Sequence, residues 1–188
     1  MCGIAGIIGR LDDANRAALS RMSGALAHRG PDAEGTWASE PDARNWGALL
    51  AHRRLSILDL SPAGVQPMTD PVTGDVVVFN GEIYNFGELR ARLEAEGQTF
   101  QSSGDTAVML RALGLHGPKA VSWLRGMFAF ACWTPRTRCL VLARDPLGIK
   151  PLYLARPTHA NANWSLAFAS ELRALLAPGL LENPRLDP

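Results

Sequence analysis

A cysteine directly follows the initiator methionine in the opening run MCGIAGIIG. If Met1 is removed, which a small second residue permits, Cys2 carries an α-amine and a thiol on one residue. The amine titrates near about 7.7–8.0 and an ordinary thiol near about 8.5, so both lie close to working pH. The amine can then serve as general base for its own thiol, directly or through a water. No separate histidine is needed. On this stretch alone the plainer alternative is a small apolar residue opening a strand, with Met1 left in place.

Other residues with chemical potential are scattered along the chain. Asn80-Gly81 ends the β-rich run DVVVFN and reads as a turn. Asp105, in SSGDT, reads as the N-cap of a helix. That stretch is not a phosphate loop by any firm pattern. His28, His52, His116 and His159 show no ligand spacing such as H-x-x-x-H, so no metal is indicated. Cys132 and Cys139 flank turn residues 134–137, and a pairing centred there sets them opposite each other. Two thiols do not fill a zinc site. HRGPD (28–32) and DPLGIKPLY (145–153) have no assigned chemistry and read as turn and core architecture.

These side chains must be positioned by ordinary elements. Residues 3–8 read as a buried strand, and Asp12 or Asp13 can cap a helix running to about Leu26. The segment 28–35 is a turn-rich loop, 46–60 suggests two strand-like pieces, and 61–74 is Pro/Gly-rich loop. After the strand at 75–80 come helices at 86–97 and 105–117, with a shorter third at 120–126. A hairpin follows at 127–133 and 138–145. Strands at 148–155 and 164–170, a closing helix at 171–177 and an aperiodic linker at 178–188 complete the chain. Antiparallel hairpins clustered between groups of helices favour a layered α+β fold over a parallel sheet.

The chain has 188 residues, 47% of them hydrophobic and 20% charged, which is ordinary globular composition with enough length for one cored domain. A formal net charge of +1 gives no electrostatic reason to expect nucleic acid or anionic lipid as a partner. No apolar run reaches membrane-spanning length, and the start is too short for a secretory signal. A cytoplasmic location with reduced thiols is the expectation.

Seven stretches occur in order: MCGIAGIIG, HRGPDAEG, LAHRRLSILDLSPAGVQPM, FNGEIYN, GMFAFACW, RDPLGIKPLYLA and FASELRALL. Together they resemble the N-terminal glutaminase domain of glutamine-hydrolysing asparagine synthetases, a class II glutamine amidotransferase. The likeness covers residues 2–177. It implies the N-terminal nucleophile (Ntn) hydrolase fold, a four-layer αββα sandwich of two antiparallel sheets between helix layers. Amidotransferases for purine precursors or amino sugars share the opening and the HRG-type loop but lack RLSILDL and GIKPLY.

The resemblance implies that Cys2 attacks the side-chain amide of L-glutamine, giving a glutamyl thioester that water hydrolyses. Asn80 and Gly81 would supply the oxyanion donors, and Gly suits a close approach to the amide. Arg54 would bind the substrate carboxylate, with Arg53 a solvated neighbour. Leu55, Ser56, Ile57 and Leu58 would line the same pocket, and Glu82 and Asp105 would receive the α-ammonium. Ala107 stands where family members usually carry an acid, a variation that could loosen the amine site. Met127, Phe128 and Phe130 could wall an ammonia path, though core packing is the simpler role. No cofactor is expected in this domain. ATP and magnesium belong to a synthetase half, whose Ser-Gly-Gly-x-Asp-Ser loop does not occur in these residues; that half would follow in the same chain or be a separate polypeptide. A homodimer is compatible with this reading. The alternatives are a catalytically silent structural or regulatory domain, or a glutaminase serving a different carboxylate acceptor.

Overall fold

In the computed structural model, which describes residues 1–55, 64–100 and 102–181, the apolar run behind Cys2 becomes strand β1 (Gly3–Arg10). It lies in the middle of a five-stranded sheet. On one side β1 pairs antiparallel with β3 (Trp46–Arg54), from Gly3↔Arg53 to Arg10↔Trp46; on the other it pairs with β9 (Trp164–Ala169). With β2 (Ala33–Ala38) and β8 (Tyr153–Ala155) the order is β2-β3-β1-β9-β8. A second antiparallel sheet contains β4 (Met68–Thr69), β5 (Val76–Ile83), β6 (Gly126–Thr134) and β7 (Cys139–Arg144), in the order β4-β5-β6-β7.

Alternation along the strands explains the layering, because successive side chains point to opposite faces. On β1, Ala5 and Ile7 join the cluster beneath α1 (Asp13–Ala25) and α4 (Leu172–Leu176), whereas Ile4 points the other way. Ile4 packs with Leu50, Val76, Val78, Ala131 and Phe168 in the layer between the sheets. The outer face of the second sheet, through Val77, Phe79 and Phe130, meets Leu89 and Leu93 of α2 (Phe86–Ala95) and Met109 of α3 (Asp105–His116). The expected αββα order is observed. No helix among the described residues is long and apolar enough to cross a membrane.

The helices follow their local signals. Asp12 caps α1, its carboxylate accepting from Asn15 N at 2.9 Å. Beyond α2, Gly97 takes a left-handed φ of 84°, which glycine adopts at no steric cost.

Several sequence expectations are corrected. Asn80-Gly81 is not a turn: both residues lie inside β5, opposite Ala129 and Phe128 of β6. The long partner strand extends β5 to Ile83 and overrides the local turn preference. Strand β2 emerges from within the segment expected as loop, its half-exposed face hiding the apolar pattern. Cys132 faces Val141 and Cys139 faces Thr134, because Thr134 stays in the strand and Arg138 takes φ 52° in the turn. Burial pushes the Cys132 thiol up to about 12, while Cys139 is exposed. The short helix expected at 120–126 is a 3-10 turn over Gly117–Trp123, and only Tyr153–Ala155 of 148–155 is strand. Asp105 is the first residue of α3 and not its cap, which is Gly104. Of the supposed linker, Leu180 and Leu181 pack against the α1 and α4 core, and Pro178 O accepts from Arg21. Residues 182–188 lie outside the described residues, as does the second strand-like piece at 56–60.

Two polar constructions brace the interior. The guanidinium of Arg111 on α3 donates to Asp70 at 2.6 Å, with the two side chains only 5% and 3% exposed. Arg111 also donates to Gln98 and Thr99, and Asp70 accepts from Val72 N and Thr73 N. Between the sheets, His52 of β3 donates Nε2–H to Phe79 O of β5 at 3.1 Å. Burial, aided by nearby Arg54, pushes the His52 imidazole down to about 4 against the support of that hydrogen bond. It is neutral at pH 7.

Asp70→Asn, which leaves the Arg111 charge buried without its counter-ion, is expected to lower unfolding free energy by about 3 kcal/mol in urea titration. His52 has a folded pKa below its unfolded value, so the unfolded chain binds the extra proton. The stability this contributes is present above pH 6.5 and is lost as pH falls from 6.5 through about 4. Urea midpoints measured across that window should fall less steeply in His52→Gln than in the unmutated protein.

Candidate active site

Cys2 sits at the entry of β1, half-buried, and its position is held from three directions. The register of β1 against β3 fixes its backbone just outside the Gly3↔Arg53 pair. Its sulfur accepts from Leu55 N at 3.4 Å and lies 3.6 Å from Leu55 O. Its carbonyl accepts from Arg29 Nε at 2.9 Å. Arg29 is in turn fixed by Glu171 at 2.9 Å. Burial would raise the Glu171 carboxyl, but hydrogen bonds from Arg29, Arg173 and His28 outweigh it and hold the pKa at about 2. The HRG and SELR stretches thus act together behind the cysteine, a role that their separation in sequence concealed.

The sulfur opens on a cavity of about 470 Å³ between the ends of the two sheets. From β3, His52 and Arg54 lie on its wall. Arg53, one residue between them, points to the opposite face and pairs with Glu34 at 2.9 Å and with Ser23. Strand alternation therefore separates the two arginines. Leu55 also lines the cavity; Ser56, Ile57 and Leu58 lie outside the described residues.

From β5, Asn80, Gly81 and Glu82 form a second wall. Asn80 is 2% exposed, and its Nδ2 has no hydrogen-bond partner among the described residues. A buried amide left unpaired costs on the order of 1–3 kcal/mol. Its backbone is kept rigid by neighbours: Phe79 N donates to Gln66 Oε1 at 2.6 Å and Phe79 O accepts from His52. Glycine at 81 has a structural cause, because a Cβ would meet Met127 O at 2.3 Å and Phe128 Cα at 2.7 Å. The missing side chain makes room for β6. Gly3 likewise faces Leu26, whose Cβ would lie 3.0 Å from an added one.

Asp105 also lines the cavity, from the start of α3. Its Oδ2 accepts from Ile83 N at 2.9 Å, which ties α3 to the end of β5. Burial raises its carboxyl pKa, with Glu82 acting in the same direction, against hydrogen bonds from Ile83 and Thr106. Two acids on one wall form a place where a cation is welcome. Met127 reaches the cavity, while Phe128 and Phe130 belong to the helix-side core. A thiol, a buried unpaired amide, an arginine and an acid pair thus surround one volume of substrate size. Such a set suits nucleophilic attack on a small zwitterion.

A family model described as "Glutamine amidotransferase domain" matches residues 1–186. Asparagine synthetase [glutamine-hydrolyzing] 1 of Bacillus subtilis is 39% identical over 180 residues, covering 94% of this chain and 27% of that protein. Asparagine synthetase B of Escherichia coli is 39% identical over 178 residues, covering 94% of this chain and 30% of its own length. The chain therefore spans less than a third of these curated relatives. Among solved structures, glutamine phosphoribosylpyrophosphate amidotransferase from B. subtilis superposes with a TM-score of 0.73 at 22% identity, over 95% of this chain and 44% of that one. That likeness bears on the fold, and it agrees with the Ntn-type αββα sandwich. With a family model matched along almost its whole length, this chain belongs to the glutamine amidotransferase domain family.

Proposed function

We propose that the chain hydrolyses L-glutamine to glutamate and ammonia, with Cys2 as nucleophile after loss of Met1. The observation that carries the reading is the buried, unpartnered Nδ2 of Asn80 on the wall of the cavity that holds the Cys2 sulfur. Arg54 receives the α-carboxylate with its planar fork, and Glu82 with Asp105 receives the α-ammonium. This places the side-chain amide carbon against the sulfur.

The freed α-amine takes the thiol proton as the sulfur attacks the amide carbon. The carbonyl oxygen becomes an oxyanion, to which Asn80 Nδ2 and Gly81 N–H donate. Collapse breaks the C–N bond, and the proton held on the amine leaves with the nitrogen as ammonia. Water, deprotonated by the same amine, then attacks the thioester and releases glutamate. Oxyanion donors held in place beforehand need no reorganisation as charge develops, which is why a rigid β5 matters.

In the same reading the ammonia serves ATP-dependent amidation of aspartate in a synthetase half, as the names of the relatives suggest. ATP and magnesium belong to that half, and none of the steps above involves them. The acceptor would be chosen by the synthetase half.

Treatment with 6-diazo-5-oxo-L-norleucine followed by intact-mass measurement should give protein lacking Met1 with a single adduct on Cys2. Cys2→Ala should take no adduct and lose glutamine turnover by about 1,000-fold or more. Full turnover in that variant, or in protein that keeps Met1, would end the proposal. Asn80→Ala is expected to lower kcat for ammonia release about 100- to 1,000-fold with little change in KM, checked by steady-state glutaminase assay.

A further inference from the structure

The stretch RDPLGIK (144–150) is built with more care than a surface loop needs. Asp145 is 4% exposed, and its carboxylate accepts from Phe128 N at 3.2 Å, Ile149 N at 2.9 Å and Lys150 N at 3.0 Å. Arg144 donates from Nε to Lys150 O at 3.0 Å and from its terminal nitrogen to Gly148 O at 2.6 Å. Gly148 turns the chain with φ 64°, and a Cβ there would lie 2.5 Å from the Arg144 guanidinium. The loop is thereby latched to Phe128, the residue of β6 opposite Gly81.

What this latch presents is Lys150. Its side chain lines the Cys2 cavity, the residue is 7% exposed, and Nζ meets Met1 Sδ at 3.4 Å. Among the described residues it has no ion pair. A thioether is a weak acceptor, so a nearly buried ammonium is held here with almost no compensation. Loss of Met1 removes even that contact. The charge then remains on the wall of the cavity that Cys2 also lines.

We propose that Lys150 acts on the reaction through Cys2: its ammonium disfavours the inactive thiol–ammonium form of the processed terminus and so brings the reactive form to neutral pH. The inference rests on Cys2 being the nucleophile. A nearby cation lowers the pKa of both an amine and a thiol, so the two effects add. The other groups around the terminus are His52 and Arg54 from β3, Glu82 from β5 and Asp105 from α3, with Arg29 on the Cys2 carbonyl. His52 is neutral. In the free enzyme, to which kcat/KM refers, Arg54 adds to the effect of Lys150 and the two acids oppose it, but Lys150 is the group whose charged nitrogen meets the residue preceding Cys2.

The test is the pH dependence of kcat/KM for glutamine in the unmutated protein, Lys150→Met, Lys150→Gln and Lys150→Arg, each shown by intact mass to begin at Cys2. The neutral variants should move the acid limb up by about one unit, so that kcat/KM at pH 6.5 falls about tenfold while the alkaline plateau falls far less. Lys150→Arg should keep the unmutated limb. Alkylation of Cys2 by iodoacetamide should show the same displacement without substrate. Superimposable limbs, a drop uniform in pH, Arg behaving as Met, or failure of both neutral variants to fold would each overturn the proposal. Cys2→Ala in the same assay separates the two readings: turnover without the sulfur sinks the nucleophile, whereas an unmoved limb beside an inactive Cys2→Ala sinks only Lys150.

Discussion

Threading the first strand through the centre of a sheet is the constraint on which the rest of the structure depends. Chain termini ordinarily fray, because nothing opposes their conformational freedom. Here residues 3–10 pair with β3 along their whole length and with β9 on the other side, so the terminus inherits the rigidity of a core strand. Cys2 is the first residue outside that ladder. It is thus both accessible and immobile, the combination an N-terminal nucleophile requires.

The second wall of the cavity is rigid for a different reason. β4 pairs only with Val76 and Val77, so the edge of β5 beyond them has no strand partner among the described residues. Side chains take over the ladder there. Gln66 and His52 hold the two polar groups of Phe79, and Asp105 holds Ile83 N. The oxyanion candidate Asn80 lies between these braces. An edge left open by the fold becomes a place where side chains of three separate segments fix a functional strand.

Charge is distributed with equal economy. Cations (Arg54, Lys150) and acids (Glu82, Asp105) line the same cavity, and Asp105 is raised by burial and by Glu82. The neutral state of His52 keeps the inter-sheet layer free of a further cation, and Arg29, engaged with Glu171, spends its charge behind Cys2.

Much of the chemistry was legible in the sequence. Cys2 behind Met1, the Arg54 fork and the order of hairpins and helices rest on local composition, spacing and a resemblance carried by seven stretches. The α+β class follows from the order of hairpins and helices, and the αββα layering was implied by the resemblance. Other features depend on residues far apart in the chain. Asn80-Gly81 reads as a turn until β6 pairs across it, since local preference is weak against a nine-residue partner strand. Gly81 is glycine because of Met127 and Phe128, not because of what enters the cavity. Arg53 and Arg54 are adjacent in sequence, yet the pleat sends them to opposite faces. Arg29 and Lys150 lie in stretches to which the sequence assigned no chemistry, because what they do is set by where the N-terminus comes to rest, and only tertiary packing decides that.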